Sequence, residues 1–131
     1  MSKDMIGDFL TIIRNGVLAS KKSVSCSHSR MRQNIAQILK DEGFIKDFSV
    51  EDNESSFKTI TVVLKYVQGE SVIHELTRIS KPSSRIYNAI GEVKPVIGGL
   101  GVSILTTNKG VMTAKQAKVH NVGGEIICTV W

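Results

Sequence analysis

The sequence predicts an α+β protein of two small lobes: an N-terminal α-β-α-β-β lobe over residues 1–67 and a mostly β lobe with short helices over 68–131. Three observations carry that expectation. Apolar residues recur at helical spacing in two stretches, both before Gly43. Runs rich in β-branched residues follow, alternating with a period of two. Turn signals built on glycine and asparagine then crowd the second half, where helical periodicity is brief.

Met5, Ile6, Phe9, Leu10, Ile12, Ile13 and Val17 give the first helix, from Asp4 to a stop near Asn15-Gly16. Its polar face holds Asp4, Asp8 and Arg14, not the excess of cations that an anionic membrane selects, so the stripe is expected to pack into a core. Ser23–Ser27 alternates as a short strand. Ser27 or Ser29 can cap a second helix from Arg30 to Glu42, with Met31, Ile35, Ile38 and Leu39 facing inward and Gly43 ending it. Phe44 to Val50 and Thr59 to Val67 read as antiparallel strands around a polar turn at Glu51 to Ser56.

After the turn at Gly69-Glu70, a strand is expected from Val72 to Ile79, and Ser80 to Ser84 is a loop by composition. Ile86-Tyr87 suits a short strand, and Pro95 to Gly99 a helical turn and bend. Val102 to Thr106 and Val111-Met112 flank the tight turn Asn108-Lys109-Gly110. Thr113 can cap a brief helix through Ala117 and Val119, and Glu125 to Val130 is the last strand. The lobes are expected to divide near Tyr66 to Glu70.

Charge narrows the function. The chain of 131 residues carries a formal charge of +5, and that charge is zoned. Residues 1–50 hold eight Lys/Arg against five Asp/Glu, residues 51–79 three against five, and residues 80–131 six against two. A basic balance of this kind suits a polyanion, because cations beside phosphates release condensed counterions. Aromatics are only 5% of the residues, so stacking on bases can involve few positions. Cys26 and Cys128 belong to no paired-cysteine motif and are expected as two free thiols of a reducing compartment, a single disulfide being the alternative. His28, His74 and His120 lack the spacing of metal ligands. Acidic residues interrupt the N-terminal apolar run, and the longest uncharged stretch, Pro95 to Asn108, is short and glycine-rich. A cytoplasmic protein without cofactor, metal or membrane span is expected.

Enzymatic motifs fare poorly. Gly98-Gly99-Leu100-Gly101 precedes a strand, whereas a dinucleotide site needs its glycines between a strand and the helix that follows. Ser80, Ser83 and Ser84 have no nucleophile-elbow pattern and read as loop hydroxyls. Glu125 has no second carboxylate placed by spacing for acid–base work.

Three constellations suit nucleic acid. Thr106-Thr107-Asn108-Lys109-Gly110 sets three donor–acceptor side chains, a cation and a glycine at a strand end, suited to sugar hydroxyls, base edges and phosphates. An ordinary hairpin turn would use the same Asn and Gly. Lys81, Ser83, Ser84, Arg85 and Tyr87 combine cations, hydroxyls and a ring that can stack one base, although a tyrosine is more often in a core. Lys21, Lys22, Arg30 and Arg32 form a third basic group around the start of the second helix, either a phosphate site or a solvated face.

Taken together, these segments resemble the S-eight family of small-subunit ribosomal proteins over essentially the whole chain. The most specific stretch runs from Gly101 through Thr106-Thr107-Asn108-Lys109-Gly110 to Thr113, then Ala117-Lys118 and Gly123-Gly124-Glu125-Ile126. Asp8-Phe9-Leu10-Thr11, Ile13-Arg14-Asn15, Leu39 to Ile45 and Arg85-Ile86-Tyr87 support it. The resemblance implies a structural, non-enzymatic protein that binds the central domain of small-subunit ribosomal RNA, at an irregular helix with unpaired bases. It also implies neighbouring small-subunit proteins, S-five foremost, as partners, and no small-molecule substrate. Thr106, Thr107, Asn108, Tyr87 and Glu125 fall at positions the family uses near RNA. Ile12 stands where the family commonly has an arginine, Lys81 where one precedes the proline, and Thr106 and Asn108 where serines are common.

Overall fold

The computed structural model describes residues 4–52, 57–82, 84–88 and 101–131. The expectations for Ser83, the Glu51–Ser56 turn beyond Asp52 and the Pro95–Gly99 bend lie outside those residues. The chain forms two compact units, one ending at Ile73 and the other running from His74 to Trp131.

In the first unit, α1 (Met5–Leu18) and α2 (Arg30–Asp41) accompany an antiparallel sheet ordered β1-β3-β2, formed by β1 (Ser23–Ser27), β2 (Ile45–Asp52) and β3 (Lys58–Leu64). The two-residue period of β3 buries Ile60, Val62 and Leu64, while the helical stripes bury Phe9, Leu10, Ile13, Ile35, Ala36 and Leu39. Asp4 starts α1 by accepting the Gly7 N–H at 2.9 Å. The helix does not stop at Asn15-Gly16 but continues to Leu18. Gly16 permits this, since a Cβ there would lie 2.4 Å from Val24 Cγ1, so the bare backbone brings the helix's last turn onto β1. Ser29 caps α2 by accepting the Arg32 N–H.

β3 ends earlier than its β-branched run suggests. Tyr66–Val67 (β4) instead pairs with Glu70–Ser71 (β5) in a separate hairpin, turned by Gln68 and Gly69 in the left-handed region. The Tyr66 hydroxyl donates to the Lys21 carbonyl at 2.6 Å and keeps this hairpin with the first unit. The strand expected from Val72 to Ile79 is reduced to β6 (Leu76–Arg78), because the N–H groups of His74 and Glu75 both donate to the Trp131 carbonyl.

In the second unit the sheet order is β6-β10-β8-β9, with β8 (Val102–Thr107), β9 (Gly110–Thr113) and β10 (Gly124–Val130). A short strand β7 (Tyr87–Asn88) also pairs with β10, beside its N-terminal end, while β6 pairs beside its C-terminal end. A bulge between Ile126 and Cys128 shifts the β8–β10 register, so Glu125 opposes Thr106 and Cys128 opposes Ile104. Ile104, Leu105, Ile126, Ile127, Cys128 and Val130 form the core here. Thr113 caps helix α3 (Ala114–His120), as the sequence suggests, and Gln116 completes a capping box by exchanging hydrogen bonds with it.

Both thiols are free, Cys26 half-buried and Cys128 buried. Burial pushes Cys128 from an ordinary 9.0 up to about 12, with Arg78 pulling weakly the other way. Between those values the unfolded chain has lost the proton and the folded chain retains it, so folding stability falls as pH rises through this window. The slope attributable to Cys128 is about 1.4 kcal/mol per pH unit. Urea unfolding near pH 9.5 to 10.5 is expected to show that extra slope in the parent and not in Cys128→Ala; equal slopes would refute it.

Candidate nucleic-acid interface

The register of the second sheet assembles what the sequence leaves scattered. Glu125 on β10 pairs with Tyr87 on one side and with Thr106 on the other. Directly opposed residues in antiparallel strands point to the same face, so Tyr87, Glu125 and Thr106 form one row across three strands. Strands lie about 4.8 Å apart, which gives this row a span of about 10 Å. In the next register pairs Gly124 opposes Asn88 on one strand and Thr107 on the other. Gly124 is required there: a Cβ would sit 2.2 Å from the Thr106 carbonyl oxygen.

Tyr87 is 65% exposed, which settles its place at the surface and not in a core. Beyond the row, β8 and β9 are joined at Asn108-Lys109, both exposed. Thr107 shapes this turn: its hydroxyl donates to the Gly110 carbonyl at 2.9 Å and accepts the Lys109 N–H at 3.1 Å. Its one proton is thereby committed, leaving a single lone pair. Gly110 occupies positive φ at 112° and begins β9. The Thr106 and Asn108 side chains make no hydrogen bond among the described residues, and neither Lys81 nor Lys109 makes an ion pair there.

Glu125 is tied on its inner side. Ser80, 1% exposed, donates its hydroxyl to Glu125 Oε2 at 2.5 Å and accepts the Ile86 N–H at 3.1 Å. Arg85 reaches the same carboxylate at 3.1 Å, with its own side chain half exposed. Lys81 and Ser84 exchange backbone hydrogen bonds at 3.0 Å and lie exposed on the adjoining turn. A carboxylate among prospective phosphates is thus neutralised by its neighbour and used to hold it. Sequence reading missed Ser80, taking it for a loop hydroxyl; no apolar pattern beside it marked it as buried.

The third basic group does not hold together. Lys22 precedes β1 and Arg30 follows it, so the five-residue strand separates them by about 16 Å. Arg30 is exposed. Arg32 is a correction: expected to attract phosphate, it is only 4% exposed. Its guanidinium donates to the Met5 carbonyl at 3.0 Å, the Ser27 carbonyl at 2.8 Å and the Ser27 hydroxyl at 2.9 Å, and lies 5.8 Å from the Phe9 ring centre. Those bonds join α1, β1 and α2. The helical spacing of Arg32 with Ala36 and Leu39 placed it on the buried stripe, a signal outweighed by its charge.

Polar side chains, an exposed ring and lysines without ion pairs thus lie at one sheet end of an α+β protein, a chemistry suited to a polyanion. Comparison with known proteins gives the family. The family model described as ribosomal protein S8 matches residues 4–131. The chain is 48% identical over 129 residues to "Small ribosomal subunit protein uS8" of Marinobacter nauticus, covering 98% of each chain. It is 46% identical over 131 residues to the protein of that name from Mesoplasma florum, covering 100% of both, and 43% identical to that of Maricaulis maris, covering 97% of this chain and 96% of the relative. The chain belongs to the ribosomal protein S8 family, a family of structural, non-enzymatic components of the small ribosomal subunit that bind ribosomal RNA. Among the described residues no helix is long and apolar enough to cross a membrane.

Proposed function

We propose that the second unit binds an irregular helix in the central domain of small-subunit ribosomal RNA, and that Tyr87, Glu125 and Thr106 form its reading edge. The cross-strand row, with Tyr87 exposed at one end and the free Asn108 side chain beside the other, carries this reading. The deep groove of A-form RNA is closed to side chains, so discrimination needs unpaired or distorted bases. Thr106 and Asn108 offer donors and acceptors to such bases, and the Tyr87 ring offers a stacking face. Lys109 and Lys81 supply charge, Arg85 a half-exposed cation shared with Glu125, Ser84 an exposed hydroxyl, and Thr107 and Gly110 the turn geometry. Arg30 adds a phosphate contact from the first unit. The protein acts in cytoplasmic ribosomes, with S-five as a neighbour.

Two substitutions test the division of labour. Asn108→Ala is expected to lower the preference for the target helix over a duplex of equal length by about tenfold, the worth of one good hydrogen-bonding contact. Lys109→Ala is expected to weaken both RNAs alike and to flatten the log–log salt dependence by about 0.7–0.9. Titrations at several salt concentrations, with footprinting of the parent on small-subunit ribosomal RNA, read both effects. Protection scattered over many helices, or an Asn108→Ala protein as selective as the parent, would overturn the assignment.

A further inference from the structure

Ser80 occupies an unusual place for a hydroxyl beside a binding surface. It is almost fully buried, yet each of its polar groups is spent on a different part of the interface. Its Oγ accepts the Ile86 N–H, one residue before Tyr87, and donates to the Glu125 carboxylate. Its N–H donates to the Ile126 carbonyl at 3.1 Å, and its carbonyl accepts from Arg78 Nε. The Ile126 N–H in turn donates to the Ile86 carbonyl at 3.0 Å. One small side chain therefore ties the end of β6, the start of β7 and the start of β10.

We propose that Ser80 is a positioning residue for RNA recognition: its hydroxyl holds the Glu125 carboxylate and the entry to β7 where they present Tyr87 and Thr106 to the RNA. The inference rests on the RNA reading of that row. Ser80 itself touches no RNA, because it is only 1% exposed. With the hydroxyl gone, the Ile86 N–H loses its partner and Glu125 Oε2 loses one of its two donors. Arg85 then holds Glu125 from the exposed side alone, and β7, which is only two residues long, has a weaker tether to β10. Net charge and the exposed cations are unchanged. The loss must therefore appear in selectivity and not in counterion release.

Ser80→Ala, Glu125→Ala and the double variant test this against target RNA and an equal-length duplex. Ser80→Ala is expected to reduce the target-to-duplex affinity ratio by about tenfold with the salt slope unchanged. On the Glu125→Ala background the same substitution is expected to cost little more, since the two side chains act as one unit. An unchanged ratio, or fully additive losses, would overturn the proposal. Ser80→Cys fills nearly the same space with a weak donor and is expected to reproduce the loss; should Ser80→Ala not fold, its result decides. Hydrogen exchange on the RNA-free protein gives a separate reading. The Ile86 amide is expected to exchange at least tenfold faster in Ser80→Ala or Ser80→Cys while core amides of β8 stay protected. Continued protection of Ile86 would refute the anchor. A parent that fails to distinguish target from duplex would sink the RNA reading instead, leaving the anchor to be decided by exchange.

Discussion

Gly124→Ala is expected to lower the melting temperature by about 10 °C and to abolish preference for the target RNA. The added carbon would lie 2.2 Å from the Thr106 carbonyl oxygen, 3.0 Å from its carbon and 3.1 Å from Thr107 Cα. All three are backbone atoms of β8, so no side chain can swing aside. β8 and β10 must separate at the pair that aligns Thr106 with Glu125. Overpacking of this kind costs about 3 kcal/mol, and a domain of this size loses a few degrees per kcal/mol. The functional loss is expected to exceed the stability loss, because well below the melting temperature the protein is folded but its row is out of register. Thermal unfolding together with target and duplex titrations checks both parts. A variant melting within about 2 °C of the parent with selectivity intact would show that the strands part without consequence.

Arg32→Leu is expected to destabilise the protein by about 3 kcal/mol, seen as a lower urea midpoint. Leucine retains the apolar volume against Phe9 but removes donors to Met5 and Ser27, which lie on two different elements. Arg32→Lys is expected to recover only a part, since an ammonium has no planar fork to reach acceptors on both sides. The contrast with Arg30 makes the argument sharp. Arg30→Ala should leave the midpoint nearly unchanged and flatten the salt dependence of RNA binding by about 0.7–0.9. Arg32→Leu should do the reverse, with an unchanged slope while the protein is folded. A shallower slope for Arg32→Leu would return that residue to the interface.

The three helices and β1 were legible because their periodicity and caps are local, and local signals survive in a single sequence. Asp4, Ser29 and Thr113 each cap the helix that follows them. Elements decided by distant partners were not legible. The segment after Ser71 alternates like a strand, but its His74 and Glu75 amides are claimed by Trp131, a residue far along the sequence. The passage of α1 through Gly16 depends on Val24 and Leu64, which no helical pattern contains. At the interface, residue types indicated the Thr106–Gly110 turn and the group from Lys81 to Tyr87, and the resemblance added Glu125. Their common row follows from strand register, and so does the exposure of Tyr87. Arg30 and Arg32 look alike in sequence, and only the stripe to which each belongs separates a surface cation from a buried one.

The bulge in β10 has a genetic consequence. Across it, the side chains facing Thr106, Ile104 and Val102 are Glu125, Cys128 and Val130, so one face of the sheet is wet at one end and dry at the other. Without the extra residue, a strict two-residue alternation would put Ile127 in place of Cys128 on that face. Loss or gain of a single codon between Glu125 and Cys128 would therefore invert inside and outside for half the strand. This stretch can change its letters far more freely than its length.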